Sequence, residues 1–373
     1  MNDAIVAVTT LKADPDQVER FVARNLAGGV DHLMVFLDGQ NPPVRQLLEE
    51  HPHVSVVRTG PKYWNGARPP RVSDRLRINM NLANTVLATV PPVRWLVTID
   101  SDEAVSVDRD ALAAHESRAV RLSVLEAVSR RTWPDDEPTL FKTRASPGEL
   151  AALASLGVIS EPDLAYYFRG HQEGKPAIRP DLRIRMKVHS AQDETGKGLA
   201  HYAPDLYVLH YESHSLDDFV RRWRDYAPET AHLRTHRDER KNVGIALHAL
   251  YHHQALSDRR RQELIEQLFD RRVRDDEDML QTLGLLRPPP SRGYRPRPLP
   301  TADVHQIERL LEALMPADKH VFNDGGTPEQ AAAELEAAAG RMATSGADPA
   351  VQNVRRTLER FRRRDDAQQV ARP

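Results

Sequence analysis

Between Ala4 and Glu103, short apolar runs alternate with amphipathic stretches of helical period, and this alternation restricts the fold more than any other feature of the chain. Ala4 to Thr10 is apolar on both faces and reads as a buried strand. Asp14 is placed to cap a helix with Pro15 at its first position, and Val18, Phe21, Val22, Asn25 and Leu26 then recur at helical spacing up to Gly28-Gly29. His32 to Leu37 is a second strand ending in Asp38-Gly39; a helix around Val44 to Glu50 and a strand at Val54 to Val57 continue the pattern. Strand, helix and strand in that order make a parallel pair joined by one crossover. A loop dense in Gly, Pro, Arg and aromatic residues, Gly60 to Pro70, leads into a helix from about Asp74 to Leu87. The expected class is α/β, with a Rossmann-like, mostly parallel sheet and a helical C-terminal region.

The alternation delivers the chain to Arg94-Trp95-Leu96-Val97-Thr98-Ile99-Asp100-Ser101-Asp102-Glu103, a buried strand after a Pro91-Pro92 break that runs straight into three carboxylates. Two aspartates two residues apart at a strand end point the same way. Ligands of open α/β sheets sit beyond the carboxyl ends of the strands, and hard divalent cations bridge carboxylates to substrate phosphates, so Asp100 and Asp102 are candidate ligands of a bound cation. The plainer reading is an acidic strand end capping the next helix.

At 373 residues the chain holds one large domain or two ordinary ones, and 40% hydrophobic with 28% charged residues is a globular composition. A net charge of −2, from 52 basic and 54 acidic residues, gives no global attraction to nucleic acid or anionic lipid. The lack of cysteine excludes disulfides, thiolate metal sites and thiol nucleophiles. No segment has the length of an apolar membrane span and no signal pattern opens the chain, so the expected location is cytoplasmic, with any membrane association peripheral.

Past Glu103, Ala119 to Val124 reads as a strand with Glu126 just after it, followed by a Pro-rich stretch and a helix from about Glu149 to Leu156. Ala177 to Pro180, Arg183 to His189 and Leu206 to Tyr211 read as strands, and Ser215 caps a helix whose apolar stripe is Leu216, Phe219, Trp223 and Tyr226. The expected organisation is a core over 1–226, a helical extension over 227–287, a stiff Pro-rich linker over 288–300 and a helical segment over 301–373 with a frayed tail. The arginine runs at 259–261, 271–272 and 362–364 are interleaved with acids and read as solvated helix faces. The Tyr63-Trp64 loop either stacks on a ligand or packs across the sheet edge, and His189 and His214 read as hydrogen-bonding residues.

Four stretches, in order, resemble one family: Val8 to Lys12 with the following helix and Gly29 to Asp38; Trp95 to Glu103; Gly174 to Pro180; and His210 to Phe219. Together they resemble the family-2-type glycosyltransferases of the GT-A fold, in the branch that includes the DUF23 or family 92 enzymes, over roughly residues 4–226. The resemblance implies transfer of a sugar, with inversion, from a UDP- or GDP-sugar to a hydroxyl of a glycan or small-molecule acceptor, with Mn²⁺ or Mg²⁺ on the acidic edge. Carried over, Thr9, Lys12 and Asp38 border the nucleoside, Asp100 and Asp102 meet ribose and metal, Asp102 acts in catalysis through the cation, and His210 completes the metal shell. Arg75, Arg77, Lys175, Arg221 and Arg222 are candidates for the phosphate charge. Inversion needs a carboxylate base, for which Glu126 is the first choice, with Asp163 and Glu212 behind it.

Two departures stand out: Ala13 precedes Asp14 in the first turn, and Leu122 to Glu126 stands where the family carries an aromatic acceptor strand. The other readings are a nucleotide-sugar-forming nucleotidyltransferase, which prefers a glycine-rich phosphate loop that Val8 to Lys12 lacks, and a catalytically silent scaffold that binds a partner through its helices. The helices after the linker are expected either to cover the acceptor cleft or to pair two copies as a homo-oligomer.

Overall fold

Three parallel crossovers build the start of the chain in the order its apolar pattern dictates. The computed structural model describes residues 3–223, 238–290, 293–343 and 348–370, with only the backbone for 238–242 and 364–370. Tyr226, the linker residues Ser291 and Arg292, and the last three residues of the tail lie outside the described residues. Strands β1 (Ala4–Leu11), β2 (His32–Leu37) and β3 (Val54–Arg58) alternate with helices α1 (Pro15–Ala27) and α2 (Pro42–Glu49). A short helix α3 (Pro61–Trp64) and the long α4 (Val72–Leu87) then lead to β4 (Val93–Thr98) and β5 (Glu103–Val107). Helix α1 starts where Pro15 follows Asp14, whose backbone N–H donates to the Gln17 side chain, and it ends at Gly28.

The chain divides into two compact units. The first comprises residues 1–123, 174–208 and 291–373, the second 124–173 and 209–290. The division departs from the segments read from the sequence, because the chain leaves the first unit within a strand and returns to it twice.

In the first unit the sheet runs β3-β2-β1-β4 with all strands parallel, a Rossmann-like core. Beyond β4 the pairing turns antiparallel, through β6 (Ala119–Ala127), which begins in this unit, and β8 (Lys175–Ile178), which lies between β4 and β6. Ala4, Val6 and Val8 of β1 share a core with Ile78, Ala83 and Val86 of α4, while the alternate Ile5 and Ala7 are buried on the other face. Tyr63 and Trp64 are buried, so the aromatic loop packs in this core.

The C-terminal helices α12 (Thr301–Ala313), α13 (Pro328–Met342) and α14 (Pro349–Val370) also belong to the first unit. Their apolar stripes, with Ile307, Leu310, Leu335, Val354 and Leu358 buried, close on α4. The Gln306 amide donates to the Thr89 carbonyl at 2.8 Å, and Arg77 reaches Asp324 at 2.7 Å. The described part of the linker is a docked strap and not a free spacer. The Tyr294 hydroxyl and the Arg297 N–H both donate to the buried Asp31 carboxylate, at 2.9 and 3.0 Å, and Arg109 pairs with the same carboxylate at 2.8 Å.

The second unit pairs the end of β6 with β7 (Phe141–Lys142), and β7 with β12 (Leu286–Arg287). Its helices are α6 (Pro147–Ser155), α7 (Leu164–Tyr167), α8 (Leu216–Trp223), α9 (Asp238–Tyr251), α10 (Asp258–Arg272) and α11 (Glu277–Thr282). Phe219 and Trp223 of α8 pack with Leu247, Ile265 and Phe269 of α9 and α10. Short strands β9 (Arg185–Lys187) and β10 (Ser190–Gln192) form a hairpin in the first unit, so only the middle of the Arg183 to His189 run is paired. The remaining elements are α5 (Arg109–Ala114) and β11 (His201–His210), which ends in the second unit.

Gly28 is where α1 meets β5. A Cβ there would stand 1.7 Å from the Val105 carbonyl oxygen, and the Gly28 carbonyl accepts the Val107 N–H at 3.0 Å. Gly28→Ala is expected to destabilise the protein by about 1–3 kcal/mol, the usual range for overpacking, read as an earlier urea midpoint with an unchanged slope.

Candidate functional site

The acidic edge is a turn closed on itself. After β4, the Glu103 N–H donates to the Asp100 carbonyl at 3.1 Å, and the Glu103 carboxylate accepts the Asp100 N–H at 2.7 Å. Glu103 is buried, whereas Asp100 and Asp102 are half-buried at the carboxyl end of the parallel strands. The Lys175 ammonium, delivered by β8, lies 2.5 Å from Asp100 and 3.4 Å from Glu103 with its side chain only 1% exposed. Burial works against a charged lysine, but Asp100, Glu103 and Asp102 outweigh it and raise Lys175 to about 12. Burial, together with the Glu103 and Asp102 charges, pushes the Asp100 carboxyl above its ordinary value, with Lys175 opposing.

The end of β1 faces the same edge. Val8, Thr9, Thr10, Thr98, Asp100 and Lys175 all line one small pocket. The Thr10 hydroxyl accepts from the Asn79 amide of α4 at 2.8 Å, and the Asn79 oxygen accepts from the Tyr63 hydroxyl at 2.7 Å, so α3 and α4 fix the strand end. Among the described residues, the buried Thr9 and Thr98 hydroxyls have no hydrogen-bond partner.

Other residues read as ligand contacts have protein partners. Asp38 pairs with Arg68 at 2.7 Å and with Arg75 at 3.2 Å, and Arg75 also donates to the Pro69 and Pro70 carbonyls at 2.9 and 3.0 Å. These contacts clamp the Gly60 to Pro70 loop. Arg77 is held by Asp74, Asn323 and Asp324. Lys175 is the counter-ion of the acidic turn, in place of the phosphate contact the sequence suggests. Lys12 is exposed.

Glu126, His210 and Arg222 belong to the second unit. Glu126 lies inside β6, not after it, and is fully buried. It accepts the N–H groups of Arg169 and Gly170 at 2.7 and 2.5 Å and pairs with the buried Lys142 at 3.0 Å; Lys142 also reaches Asp275 at 3.0 Å. Burial alone would raise its pKa, yet Lys142, His210 and the backbone donors hold Glu126 far below the usual carboxylate range. A carboxylate so stabilised is a weak base. Asp163 caps α7 by accepting the Ala165 N–H at 2.6 Å. The Nδ1 of His210 is 3.5 Å from Glu126 and its Nε2 3.9 Å from Glu212, while Arg222 approaches Glu212 at 4.0 Å. Arg221 pairs with Asp218. A Cβ on Gly170 would fall 1.9 Å from the His210 ring, so only glycine leaves room for it.

Sequence reasoning missed Lys142, Gly170 and Asp275. A lysine in a two-residue strand, a glycine amid polar residues and an aspartate in a charged helical stretch carry no periodic signal; only tertiary contact gives them meaning.

His214 is a charged hydrogen-bonding residue. Its Nδ1 faces the Tyr211 carbonyl at 3.0 Å and its Nε2 faces Asp136 at 3.1 Å, so both nitrogens donate and the ring is an imidazolium. Burial opposes the charge, but Asp136 and Asp218 raise its pKa to about 9.

No family model matches the chain, and no curated protein matches it. Among solved structures it is similar to the mannose-1-phosphate geranyltransferase from Thermus thermophilus, at 12% identity over 72% of this chain and 68% of that one, with a TM-score of 0.24.

Lys175→Met strands the buried Glu103 carboxylate beside the half-buried Asp100 and is expected to cost about 3 kcal/mol, measured by urea unfolding at neutral pH. His214 has a folded pKa above its unfolded 6.5, so its stabilisation is complete below that value and lost as pH rises through about 9. The melting-temperature gap between wild type and His214→Gln should therefore be wide at about pH 6 and close by about pH 9.5 to 10, a range set by that titration.

Proposed function

We propose that the chain is a metal-assisted glycosyltransferase that uses a nucleoside diphosphate sugar. The observation that carries this reading is the acidic turn at the carboxyl end of the parallel strands, where Asp100, Asp102 and Glu103 gather in one short loop and Lys175 reaches Asp100 and Glu103. The donor set fits Mn²⁺ or Mg²⁺, because the groups are hard carboxylate oxygens gathered in one short turn. Asp102 and the outer oxygen of Asp100 would hold it. A cation held there stabilises the charge that develops on the departing diphosphate.

The residues of the chain do the rest. Lys175 and Glu103 keep the turn in one conformation, so the carboxylates need no reorganisation on binding. The Thr9 and Thr98 hydroxyls offer donors and acceptors to a nucleoside laid across the strand ends. In this reading Glu126 serves to fill and order its own unit, where it and Gly170 hold the His210 ring in place.

The test is thermal denaturation with nucleoside diphosphates, nucleotide-sugars and nucleoside triphosphates, with and without Mn²⁺ or Mg²⁺, on wild type and Asp102→Ala. Ligands that bind only the folded state raise the melting temperature by mass action. A metal-dependent rise with one nucleoside diphosphate and its sugar, lost in Asp102→Ala, is expected. A rise confined to nucleoside triphosphates would favour a nucleotidyltransferase, and no rise with any nucleotide would leave a silent scaffold.

A further inference from the structure

A second cavity of about 300 Å³ lies in the first unit, lined by Ala88 at the end of α4, the Pro180 to Arg183 segment and the α14 residues Thr357, Arg360, Phe361 and Arg363. The middle of helix α4 meets the acidic edge, where Asn79 bonds Thr10 and Leu76 and Met80 line the same pocket as Asp100, and Ala88 caps the helix just before β4 begins. The cavity is therefore at the amino ends of the parallel strands, away from Asp100. Its size is at the lower end of small-molecule pockets.

Its charge is one-sided. Arg183 is nine-tenths buried, donates to the Phe361 carbonyl and stacks 4.3 Å from the Phe361 ring. Arg360 and Arg363 stand one helical turn apart on α14 and line the same cavity. Arg360 donates to the Thr357 hydroxyl at 3.1 Å, and among the described residues no carboxylate pairs with Arg360 or Arg363. The Arg362 between them pairs with Glu336 at 2.8 Å, as an ordinary surface arginine does. The one acidic side chain in the lining, Asp181, is taken by Arg118 at 3.1 Å and by the Arg183 backbone N–H at 2.9 Å.

Among the described residues, Arg360 and Arg363 line a recess whose one carboxylate is already engaged. Guanidinium forks match the oxygens of phosphate, and a recess of this size admits a phosphorylated small molecule. We infer that this cavity is a binding site for a small soluble phosphate ester, separate from the acidic edge. The phosphoryl oxygens meet Arg360 and Arg363, and the Phe361 ring with the stacked Arg183 forms the wall.

Pyrophosphate is the probe, titrated into metal-free protein against potassium chloride at matched ionic strength, with melting temperature and calorimetry as readouts. Wild type and Asp102→Ala should bind alike, because the acidic edge takes no part. The double variant Arg360→Gln, Arg363→Gln, both exposed positions, should bind at least about tenfold more weakly while its unliganded melting temperature stays near that of wild type. No stabilisation beyond matched chloride, or equal affinity in the double variant, would overturn the site. Loss of binding in Asp102→Ala would also overturn it, by placing the anion at the other end of the strands.

Discussion

A buried ammonium makes the acidic turn possible. Without Lys175, the half-buried Asp100 and the buried Glu103 would face one another with no cation between them, and either the turn would open or a carboxyl would stay protonated. With it, Glu103 can close the turn through the Asp100 N–H. The strand that supplies the lysine is β8, antiparallel to β4 and paired through Leu96 and Val97. The change from parallel to antiparallel pairing therefore brings a cation from a distant stretch of sequence to the end of β4.

Helix α4 does comparable work for the rest of the first unit, and it does so with amides. Asn79 ties Thr10 and Tyr63 together, Asn81 exchanges hydrogen bonds with the Met186 backbone, and Asn84 donates to the Asp181 and Ile184 carbonyls. Irregular backbone beside a helix has orphaned polar groups, and a buried asparagine satisfies a donor and an acceptor at once. The apolar positions of the same helix take the stripes of α12 and α13.

Strands β1 to β4 and helices α1, α2 and α4 were legible because each repeats a local period, and Asp14-Pro15 and Gly28 marked the ends of α1 correctly, whereas the short α3 lies inside a stretch that reads as a loop. The placement of the acidic residues at a strand end was legible for the same reason. What was not legible depends on contacts far apart in sequence. Nothing local to Arg75 or Arg77 reveals that their charges are consumed by Asp38 and Asp324, nor that Glu126 is locked by Lys142 and two backbone donors. The linker looked like a spacer because proline stiffness is local, whereas its docking depends on one buried carboxylate, Asp31.

The discontinuity of the first unit has a kinetic meaning. Its parallel core is complete by residue 103, but the apolar face of α4 stays uncovered until α12 to α14 arrive at the far end of the chain. Contacts such as Arg77 to Asp324 and Arg183 to Phe361 close loops of well over a hundred residues, and such closures come late because chain entropy must be spent before they form. During synthesis, the early strands of the sheet thus wait for helices far downstream in the sequence, with an apolar surface that chaperones would recognise in the interval.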